Sequence, residues 1–203
     1  MCKNLIINKI HLLSKEENII MVELIGAGLA AGLAAIGAGI GNGYLFGKFM
    51  EGVSGANVDL FARAPLWYDY ENFNHGTGHG VGYLGNIHEG PQGIHWGIYR
   101  ASEPFKHGMT MTNEPGLYIS GSHGIRLENE LIIRNTVKNE YGQFLEFEVM
   151  TFVPWDLEAI DVSILTSEDK YELNNYHKKV FEVLAPHFEG EELEWLKQAT
   201  REV

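Results

Sequence analysis

Residues 75–90 read HGTGHGVGYLGNIHEG, and this stretch decides how the rest of the chain is understood. His75, His79 and His88 fall within 14 residues. The glycines around them keep the backbone open, so several imidazoles can point into one cleft. Downstream, Glu114 stands in TNEPG (112–116) and Glu128 in GIRLEN (124–129), each expected on a strand or at its end. Two carboxylates with one or more imidazoles form a hard-to-borderline donor set, suited to manganese, cobalt or zinc. Carboxylates can also bridge two ions, lowering the pKa of a shared water and polarising a carbonyl. The competing reading is a set of surface Gly-His turns, since nine histidines in 203 residues is a mild enrichment. Spacing alone leaves both readings open.

The neighbouring segments set an α+β fold class. MTMTNEPGLYI (109–119) and GIRLENELIIR (124–134) have β-branched, alternating character around the turn signal SGSHG, which predicts a hairpin. QFLEFEVMTFVP (143–154) reads as a further strand closed by Pro154. Thr166-Ser-Glu-Asp carries helix-start and capping residues and predicts a helix continuing toward Phe188. An acidic helix, GEELEWLKQATREV (190–203), follows, its surplus charge read as a solvated face. Upstream, Asn57–Trp67 reads as an amphipathic helical turn ending at Pro65.

Composition limits the function classes. A length of 203 residues allows one ordinary domain or a small domain with an appendage, and 45% hydrophobic residues allow a packed core. The net charge of -12 argues against general nucleic-acid binding, which needs clustered Lys and Arg. Cys2 is the single cysteine, so an internal disulfide and Cys-rich zinc modules are excluded. No secretory signal is read at the start, and a reducing, cytoplasmic location is expected.

The charge is unevenly distributed. Residues 1–52 hold four Lys and four Glu and net to zero, so residues 53–203 carry the whole -12. Eight of the 24 glycines fall between Gly26 and Gly47. The run Leu24–Gly47, LIGAGLAAGLAAIGAGIGNGYLFG, has one clearly polar side chain, Asn42. As a helix it would span about 36 Å, enough for a hydrocarbon core of about 30 Å. Gly28/Gly32, Gly37/Gly41, Gly39/Gly43 and Gly43/Gly47 are small-xxx-small pairs that suit close helix packing in a bilayer. A buried Gly/Ala helix of a soluble protein is the alternative, and Gly26-Ala-Gly28-Leu-Ala-Ala31 is a weak dinucleotide-loop match.

Two resemblances follow from these motifs. GLAAIGAGIGNGYLFGKFMEG, within residues 22–52, resembles the first transmembrane helix of the F-type ATP synthase c subunit. That family continues with a polar loop and a second, carboxylate-bearing helix. Here no second apolar span follows, so the resemblance implies a membrane-inserting helix and no working rotor subunit. HGTGHGVG, IHEGPQG, TNEPG, GIRLEN and FEVMTFVPWD, in this order, resemble the C-terminal half of Xaa-Pro aminopeptidase (aminopeptidase P), a pita-bread metallopeptidase. The likeness covers residues 53–203, which divides the chain into a c-subunit-like segment (1–52) and half of a catalytic domain.

The aminopeptidase resemblance implies a fold, a reaction and a set of roles. It implies a partial pita-bread fold, a peptide substrate with proline in second position, two divalent ions in intact relatives, most often manganese, and a homo-oligomer. It places His79, Glu114 and Glu128 as metal ligands, with Glu128 bridging both ions. It places His75 and His88 as catalytic groups that hydrogen-bond the substrate and its developing oxyanion. Arg126, two residues before Glu128, is expected on the same strand face, either as a partner of the carboxylates or as an exposed strand arginine. The family's two aspartate ligands, eleven residues apart upstream of the histidine motif, have no counterpart. Asp59 and Asp69 are the only aspartates upstream, ten apart, and Asp59 lies in a helix-like stretch. Three ligands can hold one ion with an open position. The expectation is therefore weak binding of at most one ion, with little or no turnover, unless another chain supplies the missing half.

Overall fold

The computed structural model describes residues 48–97, 99 and 103–203. The Gly/Ala-rich helix expected over 24–47 lies outside the described residues, as does most of the c-subunit likeness. Among the described residues, no helix is long and apolar enough to cross a membrane.

In chain order, β1 (Phe49–Met50) leads to α1 (Gly55–Tyr68), then β2 (Gly78–His79), β3 (Gly93–Ile94) and β4 (Thr110–Asn113). The hairpin strands β5 (Gly116–Ile119) and β6 (His123–Arg126) follow, then the long β7 (Asn129–Asn139) and β8 (Gly142–Val149). Two helices, α2 (Ser167–Leu184) and α3 (Gly190–Ala199), complete the described order. The main sheet is antiparallel in the order β1-β8-β7-β4, with β2–β3 and β5–β6 as two-stranded ribbons beside it.

Alternation along β7 buries Leu131 and Ile133 and turns their neighbours outward, the period-2 signature of a half-buried strand. These two side chains meet Phe105, Met111, Leu145 and Ile94 in the principal core, to which α1 adds Val58. Phe49 joins the same core. It lies edge-on to Phe105 at 5.5 Å and tilted on Phe147 at 4.8 Å. The sheet therefore begins on the N-terminal side of Gly52, where composition changes.

The hairpin around SGSHG forms with an interruption that matters. Outside, β4 pairs with β7 (Asn113 opposite Asn129), and inside, β5 pairs with β6 (Gly116 opposite Arg126). Glu114 and Pro115 on one arm and Leu127 and Glu128 on the other belong to neither ladder. Pro115 has no N–H to contribute, which accounts for the break. Continued through the gap, the shared register sets Glu114 opposite Glu128.

Three other local expectations need adjustment. Pro65 does not end α1, which continues to Tyr68 because Leu66 is buried against Phe73 and Leu117. The helix stops where Tyr70 takes a left-handed conformation, with φ of 63°. Strand β8 ends at Val149, ahead of Pro154, where the Thr151 side-chain Oγ1 in place of a backbone carbonyl accepts from Glu130 N–H. Arg126 ends β6 and Glu128 lies in the gap beyond it, so the assigned strand stops short of Glu128, although each side chain feels the other's charge.

The C-terminal helices start where their caps stand. Thr166 Oγ1 accepts from Asp169 N–H at 3.1 Å, and Asp169 Oδ2 accepts from Thr166 N–H at 2.9 Å, a reciprocal capping box. Leu173, His177 and Val180, spaced four and three apart, form the buried stripe of α2. His177 Nε2 accepts the Trp155 N–H at 3.0 Å, which requires the ring to be neutral there. Burial holds its pKa below the ordinary 6.5, with the positive charge of Arg201 acting in the same direction. The unfolded chain then binds a proton that the folded chain refuses, so this contribution is lost as pH falls through 6.5 toward the lowered folded pKa. Urea midpoints measured between about pH 5 and 7.5 are expected to fall on the acid side. His177→Gln, which keeps an acceptor and has no proton to gain, is expected to flatten that slope. An unchanged slope would remove His177 as its source.

Candidate metal centre

The cleft is built on Gly78. A Cβ at this position would lie 1.9 Å from the Thr112 carbonyl oxygen, so only glycine lets β2 lie this close to β4. That approach brings His79 N–H to Thr112 Oγ1 at 3.1 Å, and the same hydroxyl donates to Glu114 Oε1 at 3.0 Å. His79 Nε2 stands 3.0 Å from Glu114 Oε1, while its Nδ1 lies 3.0 Å from the Gly80 carbonyl. If Nδ1–H donates to that carbonyl, Nε2 turns a lone pair toward a carboxylate. Two acceptors face to face call for a proton or a cation between them.

Glu114 is buried, and its second oxygen accepts from Arg126 Nη1 at 3.0 Å. Arg126 Nε donates to Tyr118 Oη at 2.8 Å, and Tyr118 Oη is also 2.8 Å from His75 Nε2. Arg126 is thus a partner of the carboxylates rather than an idle surface arginine. Opposite, across the interrupted hairpin, the Glu128 carboxyl is pushed above the ordinary range, first by burial and then by the charge of Glu114. Arg126 and His79 pull it the other way. Like charges opposite each other across a strand pair destabilise unless something neutralises them.

The structure therefore brings His75, His79, Glu114 and Glu128 to one place. His88 joins them, its ring centroid 4.2 Å from that of His79. A cleft of about 390 Å³ is lined by His75, His79, His88, His95, Glu114 and Arg126 among others. Glu128 reaches the group electrostatically and is not part of that lining. Among the described residues no three His, Cys, Asp or Glu side chains are arranged to hold a metal ion. The chemistry of these donors suits a divalent cation.

Three contributors escaped the sequence reading: Thr112, Tyr118 and His95. Tyr118 had a recoverable signal. It faces Gly124 across the hairpin and lies over Gly116, where added Cβ atoms would come within 2.7 Å and 2.6 Å of it. A tyrosine opposite glycine in a hairpin has room to lie flat and carry its hydroxyl toward the end of the ribbon. Asp59 is no ligand, because it does not line the cleft and its buried carboxylate is held by Arg63 Nε and Thr77 Oγ1, both at 2.6 Å.

Residues 44–135 match the metallopeptidase family M24, and residues 143–203 match the C-terminal region of peptidase_M24. Together the two models cover about three quarters of the chain, and this part is similar to the C-terminal region of M24 metallopeptidases. The chain is 42% identical over 157 residues to a probable Xaa-Pro aminopeptidase P of Coprinopsis cinerea, a match covering 75% of this chain and 25% of that protein. It is 41% identical over 160 residues to aminopeptidase P1 of Arabidopsis thaliana, covering 77% and 25%. Among solved structures it resembles the X-prolyl aminopeptidase of Caenorhabditis elegans, described as a cytosolic enzyme with a di-nuclear active site. That match has a TM-score of 0.73 at 32% identity, over 89% of this chain and 29% of that one. The chain thus spans about a quarter of the length of these curated relatives.

Proposed function

We propose that this chain carries the C-terminal catalytic segment of a cytoplasmic, manganese-dependent Xaa-Pro aminopeptidase, a hydrolase that releases an N-terminal residue preceding proline. The observation that carries the reading is the placement of buried Glu114 against His79 Nε2 and opposite Glu128 at the gap in the hairpin. Relatives named for cleavage at Xaa-Pro support the substrate class.

In this reading His79, Glu114 and Glu128 would hold the cation, which would supply Lewis-acid polarisation of the scissile carbonyl and a water of lowered pKa. Arg126 fixes one Glu114 oxygen and Thr112 the other, so the carboxylate keeps its orientation before substrate arrives. His75, steadied by Tyr118, and His88, beside His79, hydrogen-bond the substrate carbonyl as negative charge develops on its oxygen. Gly76, Gly78, Gly90 and Gly93 line the same cleft and leave room for a peptide backbone.

Three donors make the site incomplete, so the expected outcome is modest. Calorimetric titration of Mn²⁺ into the full chain should show one weakly bound ion, abolished by His79→Ala, with little or no cleavage of an Xaa-Pro peptide. Binding that survives His79→Ala would overturn the site. Full-rate hydrolysis would overturn its incompleteness and point to ligands supplied from elsewhere, a second copy of the chain included. The chain is read as two parts, with Phe49 and Met50 already inside the peptidase sheet. Its Gly/Ala-rich segment 24–47 is proposed to associate with membrane, which detergent-dependent fractionation tests.

A further inference from the structure

Helix α1 buries a charged pair among its inward apolar residues Val58, Ala62 and Leu66 and leaves several large apolar side chains outside. Its buried face includes Asp59 and Arg63, whose side chains are at most 1% exposed, while Leu60, Phe61, Trp67 and Tyr68 are exposed. A helix serving stability alone would reverse this arrangement, because desolvating an ion pair is costly. The contacts of the pair account for the exception.

Arg63 Nε donates to Asp59 Oδ2 at 2.6 Å. Its Nη1 donates to Asn72 Oδ1 at 2.9 Å and to the Phe73 carbonyl at 2.6 Å, and its Nη2 donates to the His75 carbonyl at 2.8 Å. The guanidinium also lies 4.0 Å over the Phe73 ring. One planar fork therefore holds residues 72, 73 and 75, the approach to the first histidine. The other Asp59 oxygen accepts from Thr77 Oγ1 at 2.6 Å. Thr77 sits midway between His75 and His79. Its N–H donates to the Ile94 carbonyl at 2.8 Å, and its own carbonyl accepts from Glu114 N–H at 2.7 Å. The helix thus reaches His75 through Arg63, and His79 and Glu114 through Asp59 and Thr77.

We infer that Asp59, Arg63 and Thr77 form a positioning hub that sets His75, His79 and Glu114 relative to one another from one turn of α1. None of the three touches substrate or metal in this scheme. They act through backbone, and their role in catalysis rests on the proposed reading of the cleft as a metal-dependent hydrolytic site.

The test uses the full chain with two readouts: the imidazole ¹⁵N shifts of each histidine, and Mn²⁺ affinity by calorimetry. Thr77→Val removes the hydroxyl and keeps the shape, whereas Thr77→Ser keeps the hydroxyl. Thr77→Val is expected to move the His75 and His79 ring shifts, leave those of His177 on α2 in place, and weaken Mn²⁺ binding about tenfold. Thr77→Ser should restore both readouts, with affinity within about twofold of the parent. Should Thr77→Val fail to fold, Arg63→Lys serves instead. Its ammonium can reach Asp59 but cannot span the carbonyls of residues 73 and 75, so the His75 shifts should move most. Variants that lose thermal stability while the His75 and His79 shifts stay fixed would reduce the hub to ordinary packing. If the parent chain takes up no Mn²⁺, the metal reading fails by itself and the ring shifts still decide the hub.

Discussion

Arg63→Met is expected to lower the unfolding free energy by about 3–5 kcal/mol, measured by urea denaturation. The substitution keeps much of the side-chain volume, so the loss comes from what it strands. Asp59 would be left as a buried carboxylate with only Thr77 Oγ1 to stabilise it. The carbonyls of Phe73 and His75 would lose their guanidinium donors. The double variant Asp59→Asn, Arg63→Met should recover part of the loss, since the unpaired charge disappears while the orphaned carbonyls remain. A single-variant cost below about 1 kcal/mol would mean that water reaches the pair, contradicting its burial.

Phe105→Ala should cost a similar amount, about 3–5 kcal/mol. Phe105 is fully buried and meets Phe49 and Phe147 edge-on, each at a centroid distance of 5.5 Å. Its truncation opens a cavity where β1, β8 and the loop before β4 meet. Phe49→Ala probes the same cluster from the other side of the composition change at Gly52. A clear loss there would tie Phe49 and Met50 energetically to the peptidase sheet. A loss under about 0.5 kcal/mol is what a surface position gives, and it would detach them. Either substitution removes a large share of the 5–15 kcal/mol by which domains are usually stable.

Much of the chain was legible where local chemistry decides structure. The Thr166–Asp169 box starts α2 at the expected residue, because its hydrogen bonds close within four residues. The SGSHG turn pairs β5 with β6, because Gly121 supplies a left-handed residue at no steric cost. Candidate donors could be named because their neighbours are distinctive: His79 between glycines, Glu114 before proline, Glu128 after a strand. Composition gave a poorer guide to the edge of the folded unit. Phe49 lies in a segment that reads as the tail of an apolar helix, yet its ring fills a gap between Phe105 and Phe147.

What local pattern could not supply is which groups meet. Nothing around Asp59 and Arg63 distinguishes an inward from an outward pair on a helix. Their burial depends on acceptors at residues 72–77, where the chain turns back over α1. Tyr118 joins His75 to Arg126 only once β5 and β6 are paired, across 43 residues on one side and eight on the other. The break that frees Glu114 and Glu128 requires one register to hold on both sides of Pro115. Sequence thus determined the identity of the donors and the elements that carry them, through short-range capping, turn and alternation rules. The tertiary structure alone decided their mutual orientation, because buried charges settle where distant backbone can satisfy them.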